Sequence, residues 1–289
     1  MVKQRSKIAA WVEAMRLRTL PVSLAGATLG IAYAVKASVF SWLPALLCLL
    51  FAVLAQIASN FANEYYDFVD GLDRPGREGP RRGVTEGDIT PRAMKRATFI
   101  TLAAACLLGL CVVPFAGWWL IPVGIAIALG VYAYSAGPWP LSRHGLGEVA
   151  VVVFYGIIPV NGIYLVLGHH FSTEVVLGSL SVGLLGANVL VVNNYRDTDD
   201  DRAVGKHTLS VLLGARSMPF LYALNAILAI VLMWSQWSVL GFTWIPALFL
   251  LPLMAVPVAM TRLSGRRLTP LLGLTALSMF LYALLFLLL

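Results

Sequence analysis

Charge is what this sequence has least of. Asp, Glu, Lys and Arg make up only 12% of its 289 residues, about half the share in a soluble domain. That shortfall excludes an ordinary water-soluble fold. Cysteine and histidine are scarce as well, with three and four copies. Cys48, Cys106 and Cys111 all lie in apolar stretches. No Cys-x-x-Cys or Cys/His spacing links them, which excludes a disulfide framework and a thiolate metal centre. They read as small packing residues. The opening MVKQRSKIAAWVEAMRLRTLPVS lacks a small-residue cleavage site after a short apolar core, so no removable signal peptide is expected. The 25 glycines and 15 prolines follow no repeat, which excludes collagen-like and low-complexity chains.

Apolar residues are abundant. The chain is 59% hydrophobic with a mean hydropathy of +0.82, and a membrane-spanning helix needs about 20 such residues. Apolar runs between polar breaks predict nine helices, at 19–36, 42–66, 93–113, 117–136, 148–167, 174–195, 216–235, 242–261 and 268–289. The expected fold is all-α, a polytopic transmembrane bundle forming a single domain over residues 1–289. Residues 1–18 are expected to hold an interfacial segment, with Trp11, Met15 and Leu17 turned from their basic neighbours over 6–18. Pro114 and Gly117 predict a tight turn between the third and fourth spans.

The basic residues are distributed like topology signals, so nucleic acid is not an expected partner. With nine spans and a cytoplasmic N-terminus, 20 of the 21 Lys and Arg residues fall inside and only Lys36 outside. That is the positive-inside pattern. Of the 14 acids only Glu174 falls on the outer side. Polar chemistry is therefore expected at the cytoplasmic face of a cell (inner or plasma) membrane, in loops 67–92 and 196–207. A transporter, the contrasting functional class, needs polar groups through the midplane. Asn161, Asn188 and Asn225 are the obvious mid-span amides, and no ionisable residue accompanies them.

Two acidic clusters close even-numbered spans. The first reads Asn60-Phe61-Ala62-Asn63-Glu64-Tyr65-Tyr66-Asp67-Phe68-Val69-Asp70-Gly71-Leu72-Asp73. Asn63 and Asp67 are four apart and share a helix face, and Gln56, Asn60 and Asp70 extend that stripe. The second reads Asn193-Asn194-Tyr195-Arg196-Asp197-Thr198-Asp199-Asp200-Asp201, with Asn193, Asp197 and Asp201 again at intervals of four. Asn-x-x-x-Asp thus occurs twice, four spans apart, which suggests duplication of a four-helix unit. Such a stripe is expensive in lipid unless it faces a polar cavity.

Hard oxygen ligands of this kind suit Mg²⁺, which takes one or two carboxylates plus phosphate oxygens. Two such sites can grip a diphosphate as a leaving group. Asn63, Asp67, Asp197 and Asp201 are the expected ligands, joined by Asp70 or Asp73. Glu64 points about 100° around the helix and reaches a metal only where the helix unwinds. Arg74, Arg77, Arg81 and Arg82 follow the first cluster, and Arg202 and Lys206 the second. These can offset charge on departing phosphate oxygens, with Arg81 and Arg82 as alternatives to one another. Asn193 and Asn194 are placed at the substrate. Asp199 and Asp200 read as solvated loop acids.

At these residues the chain resembles the UbiA superfamily of intramembrane prenyltransferases, whose members carry an NDxxDxxxD-type motif after helix 2 and DxxxD after helix 6. Here the first reads NEYYDFVDGLD, with Glu64 for the usual Asp and Gly71 at the last motif position, where Asp70 or Asp73 substitutes. RTLPVSLAGATLG, GPRRGVTEGDIT and NNYRDTDDDRAVGKHTLSVLLG are similar to the branch acting on 1,4-dihydroxy-2-naphthoate. The resemblance implies Mg²⁺ (two ions), a polyprenyl diphosphate and that aromatic acceptor as partners. The reaction it implies is prenyl transfer with loss of the ring carboxylate, giving demethylmenaquinone. 4-Hydroxybenzoate or homogentisate are the alternative acceptors. The CDP-alcohol phosphotransferases, which also pair Asp motifs, need a DGxxAR start that is absent from the sequence.

The resemblance further implies roles for the loop YAYSAGPWPLSRHGLGEV, where Tyr134, Ser135 and Arg143 seat the diphosphate. Lys206 neutralises it. Tyr65, Tyr66, Tyr132, Tyr134 and Tyr195 are candidates to face an allylic cation, with interfacial packing as their ordinary alternative. Glu148 reads first as a helix N-terminal acid and second as a substrate contact. His144 and His207 read as solvated loop residues. His169 and His170 fall on the opposite side, away from the chemistry.

Overall fold

The computed structural model describes residues 6–75, 79–168 and 170–289. Lys3, Arg5, Arg77 and His169 lie outside the described residues. Regular structure among the described residues is all helical. Helices α1 (Lys7–Ala14) and α2 (Leu20–Lys36) are followed by α3 (Trp42–Val69), α4 (Pro91–Ala116) and α5 (Leu120–Ser135). Next come α6 (Gly147–Gly168) and α7 (Thr173–Arg196). Short helices α8 (Thr198–Ala203) and α9 (Leu209–Leu213) lead to α10 (Met218–Val239), α11 (Trp244–Arg262) and α12 (Thr269–Leu288). Eight stretches are long and apolar enough to cross a membrane, α1 and α2 together forming one of them. The chain is an all-helical polytopic bundle.

Boundaries follow the expected breaks, and the departures have local causes. α3 runs past residue 66 to Val69 and stops where Gly71 (φ 69°) supplies the left-handed turn. α4 starts two residues early because Thr90 caps it, its hydroxyl accepting from the Ala93 N–H at 3.2 Å, with Pro91 at the first position. It passes through Pro114 and ends at Gly117 (φ 101°). The turn there takes up the first residues assigned to the next span, leaving α5 with 16 residues, about 24 Å of helix. The expected single span 148–167 is interrupted by a π turn over Val152–Ile157.

The amphipathic stretch 6–18 does more than rest on an interface. α1 buries Ala10 and Ala14 against Phe61, Val84, Ile89 and Met94, and Trp11 meets Phe61 edge-on at 5.6 Å. It docks on α3 and on the loop before α4, leaving Ile8 and Val12 exposed on its outer face.

α2, α6, α7 and α10–α12 form one packed body. Its core runs through Leu29, Val182, Leu185, Tyr222, Met233, Trp237, Met279 and Tyr282. Glycine permits the closest crossings. A Cβ on Gly156 would strike the Ser179 carbonyl oxygen and the Gly183 backbone, and one on Gly26 would strike the Tyr155 carbonyl oxygen. Close backbone approach at small residues is how helices associate in lipid. The mid-span amides serve the same end. Asn188 donates to the Tyr222 carbonyl and accepts from Asn225, each at 3.0 Å, while Asn161 donates to Ile157 within its own helix at 2.8 Å. They are spent on fixing helices, not on lining a polar path.

Candidate active site

One end of the bundle gathers both Asn-x-x-x-Asp pairs. The upper half of the α3 stripe is used first as an anchor. Gln56 donates to Thr19 at 3.0 Å and accepts from Ser23, and Asn60 donates to the Met15 carbonyl at 2.9 Å. These bonds fix the link between α1 and α2. Within it Arg16 takes a left-handed conformation (φ 52°, ψ 51°), uncommon for a non-glycine residue and typical of functional positions. Its guanidinium donates to Asn63 Oδ1 at 2.7 Å. Composition and charge counting treat Arg16 as a topology residue; the structure makes it part of the site. Its sequence signal was the RTLP stretch that begins two residues later.

The next turn of α3 presents Asp67, 1% exposed. Lys206 Nζ lies 3.1 Å from Asp67 Oδ2, across 139 residues of sequence. The Lys206 N–H in turn donates to the Asp201 carbonyl at 2.9 Å. The loop after the second cluster therefore reaches directly onto the first. The α5–α6 loop ties the two together: Arg143 donates to the Ser135 carbonyl at 2.8 Å, and its own carbonyl accepts from the His207 N–H at 2.9 Å. Asn63 donates to the Ser135 hydroxyl at 3.2 Å.

Below this polar lid lies a cavity of about 500 Å³. Asn63, Asp67, Arg82, Asn193, Asp197, Asp201 and Lys206 line its polar end. Its walls then become apolar, with Phe51, Ala55, Val113, Leu120, Gly124 and Phe154 among them. It runs beside α3, α4, α5 and α6 to residues at their far ends, such as Cys48, Val113, Leu120 and Val166. A mouth that sets carboxylates able to hold a cation beside Arg16, Arg82 and Lys206, over a long apolar conduit, suits a molecule with an anionic head and a hydrocarbon tail.

A family model described as the UbiA prenyltransferase family matches residues 23–284. The chain belongs to that family. It is 41% identical over 220 residues, covering 73% of this chain and 71% of the relative, to 1,4-dihydroxy-2-naphthoate octaprenyltransferase of Escherichia coli. The Mycobacterium tuberculosis protein of the same name is 35% identical and covers 96% of both chains. Among solved structures, a UbiA homolog from Archaeoglobus fulgidus bound to DMAPP and Mg²⁺ superposes with a TM-score of 0.66. It is 14% identical and covers 96% of this chain and 99% of its own. The fold is that of the UbiA enzymes.

Within this UbiA site the expected residues separate into two groups. Asn63, Asp67, Tyr134, Asn193, Asn194, Asp197, Asp201, Lys206 and Arg82 all line the cavity. Arg82, not Arg81, is the inward arginine: it lies 3.4 Å from Asn63 Oδ1 and 3.4 Å from Asp73. Arg81 pairs with Asp88 at 2.7 Å and Glu86 at 3.4 Å, and the hydrogen bonds it donates to Asp88 hold it above the ordinary arginine pKa. It fastens its own loop. Asp197 is clamped by Arg196 at 2.6 Å.

Others are brought near without facing the cavity. Asp70 pairs with Arg143 at 2.6 Å on the rim, and Arg143 also lies 3.7 Å from Asp67. Asp73 sits behind Arg82. Glu64 is turned away, its Oε1 accepting from the Val84 N–H at 3.0 Å. The helix does not unwind at Glu64, since α3 continues to Val69; the carboxylate secures the loop instead of reaching a metal. Arg202 pairs with Asp199 on the open surface at 3.5 Å, away from the substrate position expected for it. Tyr66 packs edge-on between Tyr65 and Tyr132, at 5.0 and 5.7 Å, outside the cavity. Tyr195 donates to the Met260 carbonyl at 2.9 Å. Tyr134 is the member of that tyrosine set that lines the cavity.

Tyr155, unremarkable in sequence, also lines the cavity, as does Ser59. Tyr155 lies on the π turn, a feature that often marks functional sites.

The donors fit Mg²⁺. They are all oxygens, and Asp67 Oδ1 is buried without a hydrogen-bond partner. No three His, Cys, Asp or Glu side chains among the described residues converge as a closed metal cage. An open site completed by substrate oxygens is the way Mg²⁺ is commonly held at phosphates.

Proposed function

We propose that the protein transfers a polyprenyl group from polyprenyl diphosphate to 1,4-dihydroxy-2-naphthoate, releasing diphosphate and the ring carboxylate as CO₂ and giving demethylmenaquinol, the hydroquinone form of demethylmenaquinone. The observation that carries this reading is the Lys206–Asp67 contact, which joins both acidic motifs over the mouth of an apolar conduit. The identity to relatives named for that acceptor supports the choice of ring.

Asn63 and Asp67 from α3, with Asp197 and Asp201 beyond α7, would hold two Mg²⁺ ions, which when bound screen the diphosphate oxygens as they leave. Lys206 and Arg82 complement the remaining negative charge at the cavity's polar end, with Arg16 beside them through Asn63. The conduit takes the prenyl tail and excludes water from the allylic carbon. Tyr134, Tyr155 and Phe154 offer ring faces to the cation that develops there. Both motifs and the α5–α6 loop sit at the cytoplasmic end in this reading. It counts α5 as a ninth crossing, 1–289 as one domain and the two halves as copies of a four-helix unit. The enzyme then works in the plasma or inner membrane.

Purified protein incubated with Mg²⁺, a polyprenyl diphosphate and each of dihydroxynaphthoate, 4-hydroxybenzoate and homogentisate tests the reading. The expected result is one prenylated product, from dihydroxynaphthoate, with an equivalent of CO₂ detected by mass. Product from another ring without CO₂ release overturns the acceptor assignment.

A further inference from the structure

Glu148 lies in the cavity wall at the start of α6 and is 6% exposed. One carboxylate oxygen accepts from Asn194 Nδ2 at 2.8 Å. The other, Oε2, is buried with no hydrogen-bond partner, and no basic side chain among the described residues pairs with it. A buried acceptor left unsatisfied destabilises the fold, and a helix-start acid gains its dipole benefit at the surface without that cost. The wall is built to admit it. The Tyr134 hydroxyl lies 3.8 Å from where a Cβ on Gly147 would stand, and such a Cβ would press Leu190 at 2.9 Å. Glycine there spares Leu190 that contact, and Tyr134 and Glu148 both line the same wall. Asn194, which holds Glu148, adjoins Asn193 of the second motif, so this patch borders the diphosphate end of the cavity without belonging to the set assigned to the metal.

We propose that Glu148 is the proton acceptor for the aromatic substrate, and that it returns the proton once the carbon–carbon bond is made. The inference rests on the function proposed above. A neutral ring hydroxyl is a weak activator, and its oxygen must release electron density as the ring carbon attacks. The hydroxyl O–H bond breaks and its proton passes to Glu148 Oε2. The freed pair on oxygen forms a ring carbonyl as the carbon bearing the carboxylate bonds to the allylic carbon. The allylic C–O bond leaves with its electrons on diphosphate. The intermediate is a β-keto carboxylate. Its C–CO₂ bond breaks, the pair returns through the ring to oxygen, and that oxygen takes its proton back from Glu148. No proton is gained or lost overall, so one enclosed carboxylate suffices.

The test compares wild type, Glu148→Gln and Glu148→Asp at one pH with two acceptors. One is dihydroxynaphthoate; the other is a ring-halogenated analogue whose hydroxyl is already ionised at that pH. Mg²⁺-dependent binding of a prenyl diphosphate is measured alongside. General-base contributions run to about 10²–10⁴-fold. Glu148→Gln is therefore expected to lose on the order of 10²-fold in kcat with dihydroxynaphthoate, while binding the diphosphate as wild type does. It should recover to within about tenfold of wild type with the ionised analogue, and Glu148→Asp should fall between. Equal turnover by Glu148→Gln and wild type on dihydroxynaphthoate overturns the proton path alone. A loss equal for both acceptors, or one matched by lost diphosphate binding, also overturns it and makes Glu148 a structural residue. A wild type that converts no dihydroxynaphthoate overturns the acceptor reading and the proton path with it.

Discussion

α7 and α4 are similar in length and hydropathy, yet they live in different surroundings. About 72% of the apolar window of α7 is buried inside the protein, against 11% for α4. The difference extends to their neighbours. α2, α7, α10 and α12 meet at glycines, buried amides and a continuous aromatic–aliphatic core, whereas α3, α4 and α5 meet chiefly one another and the cavity. In water such a thinly packed half would collapse or aggregate. In a bilayer its outer face costs nothing, because lipid tails are as apolar as leucine. One half of the molecule is therefore free to enclose space for a long chain while the other holds the geometry of the acidic mouth. Asp67 stands on the loose half and Asp197 on the packed half. The site is a seam between a rigid wall and a compliant one.

Removing a charge at that seam should have the largest effect. Asp67→Asn keeps the side-chain shape but takes away the anion that Lys206 and Arg143 address. Turnover is expected to fall by about 10³-fold or more, which corresponds to about 4 kcal/mol of transition-state stabilisation, with thermal unfolding in detergent little changed. Near-wild-type Mg²⁺-dependent turnover would mean that the loose half contributes only a conduit.

The glycines sharpen the contrast by sign. Gly156→Ala drives a methyl into the Ser179 carbonyl and the Gly183 backbone, and overpacking of this kind costs about 1–3 kcal/mol. Gly124→Ala, in α5 on the cavity wall with nothing within 4 Å of the new Cβ, should be neutral or gain up to about 1 kcal/mol from helix propensity. The melting temperature should fall for Gly156→Ala and hold or rise for Gly124→Ala. A bulkier Gly124→Phe should fold and turn over short prenyl diphosphates while slowing on the longest ones, read from product masses. Unchanged chain-length preference would show that the tail takes another path.

Much of this is legible in the amino-acid sequence alone. Helix positions follow from apolar run length, because a spanning segment must satisfy its backbone internally and so has little choice. Asn63, Asp67, Asn193, Asp197 and Asp201 were legible because four-residue spacing places them on one face of a helix and an apolar context makes them costly. Direction was less legible. Whether Glu64 faces metal or loop turns on a hydrogen bond to Val84, and whether Arg81 or Arg82 turns inward turns on Asp88; neither partner's position is encoded in spacing. Arg16 and Tyr155 escape a reading by spacing because each depends on irregular backbone, a left-handed residue in one case and a π turn in the other. Periodicity assumes regular helix and is blind to both.

The smallest expected effect lies in the packed half. Asn225→Leu removes the donor to Asn188 and leaves Asn188 Oδ1 without that bond, in a place where both side chains are buried. Water would make such a loss expensive. Inside a membrane bundle a single interhelical hydrogen bond is worth about 0.6 kcal/mol on average, and at most about 1.7, because the separated helices also find partners. Asn188 keeps its second bond, to the Tyr222 carbonyl, so the change should sit near the lower figure and shift unfolding in detergent by about 1–2 °C, with turnover unaltered. A selective loss of activity at unchanged stability would contradict a scaffold role for this pair and point to a polar path through the midplane. Had the amides served such a path, they would face the cavity; neither Asn188 nor Asn225 lines it, and each instead faces another helix.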